Sequence, residues 1–190
     1  MRKTSSKKLS LKEKKQIWKK KLEHVDEITD KLGKHIDEGI KETVAILHLF
    51  GIPTFSSHEG KIHRYAIPYV DIEAVGLEDL HKQLKNITGT TEEERDKARL
   101  CIENEITVLN LVERKKLILL LEEFYTNRKV SFERRLVATS MSYGWTRLQS
   151  QWADFQEVET DEKMRKQRLA EFQREMRAFT IFLKKKYFKN

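Results

Sequence analysis

The sequence predicts an α+β fold: a small, mainly antiparallel sheet packed by helices, with long basic helices at the N- and C-termini. Three observations carry this. Apolar residues recur at steps of three and four in the first fifty residues, over about 91–125, and again near the C-terminus. Between these stretches lie short β-branched and aromatic runs that alternate with polar residues. Glycine and proline stand at the changes of period, as at Gly51-Ile52-Pro53. The 190 residues, 36% of them charged and 38% hydrophobic, suit one compact core with solvated extensions.

Taken in order, residues 1–9, MRKTSSKKL, have too little apolar content to pack and read as a disordered basic tail. Ser10 with Glu13 forms a capping-box pattern, so a basic N-terminal helix is expected over 10–33. Its stripe, Trp18, Leu22, Val25, Ile28, Leu32, Ile36, Ile40, Val44 and Leu47, keeps one phase as far as Phe50. Each of Gly33 and Gly39 costs about 1 kcal/mol relative to alanine inside a helix, which predicts a break near Gly33 and a second helix over 34–50. Gly51 and Pro53 stop it.

Strands follow over 53–57 and 68–73, with Ser57 to Arg64 as the polar loop between them, and Leu77 to Leu84 as a short helix. Thr91 and Glu94 make a second capping box, and Glu92 to Glu94 suit a positive helix end, so a long helix is expected from 91 to 125. Cys101 lies on it between Leu100 and Ile102 and reads as a buried, inert thiol. Two further strands, 130–139 and 143–150, would join around Ser142 to Gly144. Residues 151–190 form the C-terminal helix, whose stripe Leu169, Phe172, Met176, Phe179 and Leu183 needs a partner surface, either the body of this chain or a second copy. Trp18 and Trp152 read as packing anchors in helical stripes. The organisation expected is thus a tail 1–9, a helix 10–33, an α+β body 34–150 and a helix 151–190.

Several function classes are excluded at this level. The longest uncharged apolar run, Leu117 to Leu121, falls far short of the roughly 20 residues that span a bilayer, and the basic N-terminus lacks an apolar signal core. With one cysteine there is neither a disulfide framework nor a Cys-only zinc site, and a cytoplasmic location is expected.

Charge is segregated along the chain. Residues 1–34 carry twelve Lys/Arg against five Asp/Glu, residues 163–190 ten against two, and residues 35–162 sixteen against twenty-three, giving +7, +8 and −7. Lys19, Lys20 and Lys21 at one end and Lys184, Lys185 and Lys186 at the other are candidate phosphate contacts for RNA or another polyanion. Alternatively, these lysines solvate the ends or meet the acidic body. Trp145, Arg147 and Gln149 alternate along one expected strand, with Tyr143 on the same face. Such a face could stack bases while Arg147 meets phosphate, or it could be core.

One loop gathers chemistry: Ser57, His58, Glu59, Lys61 and His63 fall within seven residues. His58, Glu59 and His63 are the catalytic candidates, imidazole and carboxylate being the usual acid-base groups near neutral pH. His58 and His63 with Glu59 or Asp71 offer donor types that suit a divalent ion, yet the His-x4-His spacing matches no zinc helix pattern, so no metal ligands are assigned and no cofactor is identified. The competing view is a solvated turn with Gly60 at positive φ.

The stretches Ile36-Asp37-Glu38-Gly39-Ile40, Gly51-Ile52-Pro53-Thr54-Phe55-Ser56-Ser57-His58-Glu59-Gly60 and Pro68-Tyr69-Val70-Asp71-Ile72 resemble a family of small bacterial proteins. That family carries a helix, a Thr-x-x-Ser-Cys-x-Gly-His loop and a Pro-aromatic-Val strand. The resemblance covers about residues 35–75 and, more loosely, Phe124-Tyr125 and Phe182 to Phe188. A similar Ser-Ser-Cys-x-Gly loop occurs in the wybutosine-synthesising tRNA methyltransferases of the third step. Here His58 stands where the family has Cys, and Lys61 where it has the loop His. The family has no established activity, so the resemblance implies a fold and no reaction.

Three functional readings follow: an RNA-binding module using its basic ends; an enzyme acting on RNA or nucleotides through His58, Glu59 and His63; and an interaction protein that forms a homodimer through residues 169–183.

Overall fold

The computed structural model describes residues 9–29, 33–62, 66–153 and 161–189. Most of the tail 1–9, His63, the Tyr143 side chain and residues 154–160 of the expected C-terminal helix lie outside the described residues. The chain is α+β, with helices toward both termini and a four-stranded antiparallel sheet. Its elements are α1 (Leu11–Glu27), α2 (Glu38–Leu49), β1 (Thr54–Lys61), β2 (Ala66–Ile72), α3 (Glu78–Lys85), α4 (Glu92–Tyr125), β3 (Leu136–Ser140), β4 (Thr146–Ser150) and α5 (Glu162–Lys189). Strand order across the sheet is β1-β2-β4-β3.

Both expected capping boxes are present. The Ser10 hydroxyl accepts from the Glu13 amide at 3.3 Å while the Glu13 carboxylate accepts from the Ser10 amide at 2.7 Å, and Thr91 with Glu94 repeats the exchange at the start of α4. The break between the first two helices comes earlier than glycine alone requires. α1 ends at Glu27, Ile28 is extended, and Thr29 bridges back to His35 before α2 begins. α2 ends as expected: the Gly51 amide donates to His48 and the Ile52 amide to Leu47, both at 3.0 Å, with Gly51 in the left-handed region that this cap demands.

Core side chains come from one face of the sheet and from α1, α2, α4 and α5. Val70, Ile72, Leu136 and Leu148 meet Val44 and Leu47 of α2, Leu117 to Phe124 of α4, and Met176, Phe179 and Leu183 of α5. The whole C-terminal stripe, Leu169, Phe172, Met176, Phe179 and Leu183, is buried within the chain. Of the two partners its heptad spacing allows, the body of the same chain is the one it packs against. α1 is fastened alongside: Val25 is fully buried, Trp18 packs on the core, and the Lys14 ammonium donates to the Tyr187 carbonyl at 2.9 Å.

Four expectations need correction. Of the polar loop expected over Ser57–Arg64, the residues Ser57 to Lys61 are strand, since β1 runs on to Lys61 and pairs His58 with Tyr69 and Glu59 with Pro68. Polar side chains there face a half-covered sheet surface and a helix end, so their polarity does not signal a loop. The strand expected over 130–139 is strand only from Leu136; Phe132–Arg134 forms a single 3-10 turn, and Phe132 is 63% exposed. Cys101 is exposed: helical neighbours point about 100° away from it, and Leu100 is itself 58% exposed, so apolar flanks do not bury it. Trp152 lies in a short turn after β4, not in a helical stripe, and holds the Arg168 guanidinium 5.1 Å from its ring centroid.

Candidate functional site

Two chain segments distant in sequence exchange polar contacts where α2 begins. Asp37 precedes the first turn of α2, yet its side chain does not cap its own helix. It crosses to β1 instead, where its carboxylate accepts from the Glu59 amide at 3.3 Å. Glu59 reciprocates, its carboxylate accepting from the Gly39 amide at 2.9 Å and so satisfying a free donor at the helix start. Lys34 and Lys61 stand 3.1 and 3.4 Å from Asp37. Burial opposes the charge on Asp37, but these contacts hold its carboxyl below the usual range.

His58 sits beside this exchange with only 13% of its side chain exposed. The Gly60 amide donates to its Nδ1 at 2.8 Å, which places the imidazole proton on Nε2. Nε2 faces the Asp37 carboxylate at 3.9 Å. Burial pushes the imidazole pKa down, with Lys34 and Lys61 adding to the effect and Asp37 and Glu59 opposing it. Nδ1 is therefore held by the chain itself, while Nε2 faces Asp37 beyond hydrogen-bond reach. Glu59 points to the helix end on the other side of the strand. His63, the third catalytic candidate, lies outside the described residues.

The strand register carries His58 onto the outer face of the sheet, away from the helical core. It stacks on Tyr69, its cross-strand partner, with centroids 5.9 Å apart and planes 12° from parallel. The Arg147 guanidinium lies 4.0 Å from the Tyr69 ring centroid and is gripped by Asp71 through Nε at 2.7 Å and Nη2 at 2.9 Å. Burial pushes the Asp71 carboxyl up against the pull of Arg147, whereas Arg147 is held more firmly protonated by Asp71. Arg147 also lies 5.4 Å from the Trp145 ring, and Trp145 meets Phe55 edge-on at 5.4 Å. Phe55 is 55% exposed.

Beside these rings a cleft of about 300 Å³ opens between the outer face and the α1–α2 connection, lined by Thr29, His35, Ser56, Ser57, His58 and Tyr69 among others. His48 of α2 lies 2.9 Å, through Nε2, from the hydroxyl of Thr54, one of the residues that line the cleft. Burial, with Lys21 and His24 nearby, lowers its pKa to about 4. Among the described residues no group of three or more His, Cys, Asp or Glu is arranged to hold a metal ion.

The basic candidates divide. Lys184 pairs with Glu42 at 2.7 Å and lies over Trp18, and Lys186 pairs with Glu123. Lys185 is exposed. On α1, Lys20 is exposed, Lys21 is half-buried, and Lys19 is only loosely approached by Glu23 at 3.8 Å. Lys12, Lys15 and Lys19 line one outer strip of α1. Asp37, Tyr69 and Phe55 were not among the sequence candidates. The signals were an acidic residue just before a helix and strand alternation that sets Tyr69 beside His58.

The chain matches no protein family, no curated protein and no solved structure. Among the described residues no helix is long and apolar enough to cross a membrane.

Proposed function

We propose that the protein binds single-stranded RNA, with bases stacked on the outer face of the sheet and phosphates met by the lysines of α1. The observation that carries this is the aromatic pair Phe55–Trp145, set edge to face at 5.4 Å with Phe55 55% exposed, beside the Arg147–Tyr69 stack. Exposed rings on a sheet give every base a π-surface to rest on, and each such base is worth about 1–3 kcal/mol by alanine substitution. Arg147 enters as the fixed cation that braces Tyr69 and Trp145; its fork is filled by Asp71, which leaves phosphate contact to other residues.

Lys12, Lys15, Lys19 and Lys20 supply the phosphate contacts. The enzyme reading has less in its favour, because the Gly60 amide already occupies Nδ1 of His58, and the Asp37 carboxylate stands 3.9 Å from Nε2, beyond hydrogen-bond reach.

Competition binding of the full chain to single-stranded RNA, duplex RNA and single-stranded DNA, repeated over a salt series, tests the proposal. Single-stranded RNA is expected to bind most tightly, with log K falling by about 0.7 per phosphate contact for each unit of log salt. Equal or tighter binding of duplex would mean that lysines alone act. No binding at low salt would remove the proposal.

A further inference from the structure

α4 leaves one face uncovered along much of its length. Leu117, Leu120, Leu121 and Phe124 enter the core, and α3 packs beside the helix, but Val108 is 60% exposed, Val112 54% and Leu119 54%. Cys101, Glu105 and Lys115 are exposed on the same side. In order these six residues, Cys101, Glu105, Val108, Val112, Lys115 and Leu119, step by four, three, four, three and four, the spacing of a coiled-coil seam. The run covers about 27 Å of helix. Leu111, 48% exposed, and Ile118, 37% exposed, flank it.

The seam is complementary to itself when reversed. Turned end for end about residue 110, it sets Val108 against Val112, Glu105 against Lys115 and Cys101 against Leu119, each pair occurring twice. A parallel pairing would instead oppose Glu105 to Glu105 and Lys115 to Lys115, like charges in a partly desolvated seam. The charge order thus selects both the occupant and its direction.

We propose that two copies of this chain associate through α4, antiparallel, with Val108 and Val112 at the centre and two Glu105–Lys115 ion pairs beside them. This surface is distinct from the C-terminal stripe, which the chain covers itself, and from the outer face of the sheet.

Sedimentation of the full-length chain against concentration tests it, with circular dichroism confirming that each variant is folded. The wild type is expected to dimerise. Glu105→Lys and Lys115→Glu each place like charges together and should raise the dimer dissociation constant by roughly tenfold or more, while the double exchange E105K/K115E should restore it. Direction is read by oxidation: Leu119→Cys is expected to cross-link to Cys101 of the other copy, and the wild type, its two Cys101 residues far apart, is not. A wild type that stays monomeric would overturn the proposal. So would a dimer indifferent to both single reversals, a double exchange that fails to restore a lost dimer, or a wild type cross-linked through Cys101.

Discussion

Gly60 is fixed by two demands at one position. Its φ of +88° suits glycine, and a Cβ built there would come within 2.6 Å of a Leu169 methyl and 2.9 Å of the Pro68 ring. Its amide also orients His58. Gly60→Ala is expected to lower stability by about 1–3 kcal/mol, read as a shift in the urea midpoint at unchanged m-value, and a wild-type midpoint would contradict this packing. A second residue-level expectation concerns His48, whose folded pKa of about 4 lies below its ordinary 6.5. Between those values the unfolded chain binds a proton that the folded chain refuses, so stability rises with pH across the window and is reduced below it. His58 is shifted in the same direction. Urea titrations from pH 4 to 7 should show a shallower slope for His48→Gln than for the wild type, and identical slopes would refute the assignment.

At the level of elements, α5 is a core helix that happens to be basic outside. Burying Phe172, Met176, Phe179 and Leu183 is worth about 6–12 kcal/mol in all, comparable with the entire stability of a domain this size. It also carries Glu175, which pairs with Arg128 at 2.6 Å and accepts from the Tyr125 hydroxyl at 3.0 Å; burial pushes that phenol's pKa up. A chain ending at Asp161 is therefore expected to lose cooperative unfolding in urea, and a sigmoidal transition for it would show that the rest folds alone. The helices were legible in the sequence because each has a local signature: capping boxes at Ser10 and Thr91, a glycine stop at Gly51, and steady steps of three and four from Leu169 to Leu183. Partners were not legible. Periodicity shows that a stripe is apolar without showing what covers it, so the α5 stripe and the α4 seam look alike until burial separates them. β1 was shortened for a related reason, its polar residues being accommodated by Asp37, Gly39 and an open sheet face, contacts made by distant segments.

Over the whole molecule, the segregation of +7 and +8 ends from a −7 body is partly a folding device. Lys184 and Lys186 meet Glu42 and Glu123, and Lys41 of the body meets Asp26 of α1. Exposed pairs of this kind contribute about 0–1 kcal/mol each, so they align the ends more than they stabilise them. Lys12, Lys15, Lys19 and Lys20 stay exposed on α1, and the proposed RNA contacts fall to them. The candidate site was half legible: His58 and Glu59 were found from their chemistry and Trp145 and Arg147 from alternation, whereas Tyr69 needed the strand register, Asp37 its reach across to Glu59 and Phe55 its contact with Trp145. Stacking of bases on the outer face is tested by the affinity of the full-length Phe55→Ala and Trp145→Ala variants for a single-stranded RNA at low salt. Each is predicted to weaken binding by roughly fivefold to a hundredfold with an unchanged salt slope, as stacking is lost and the lysine contacts remain. Wild-type affinity in both variants would contradict it.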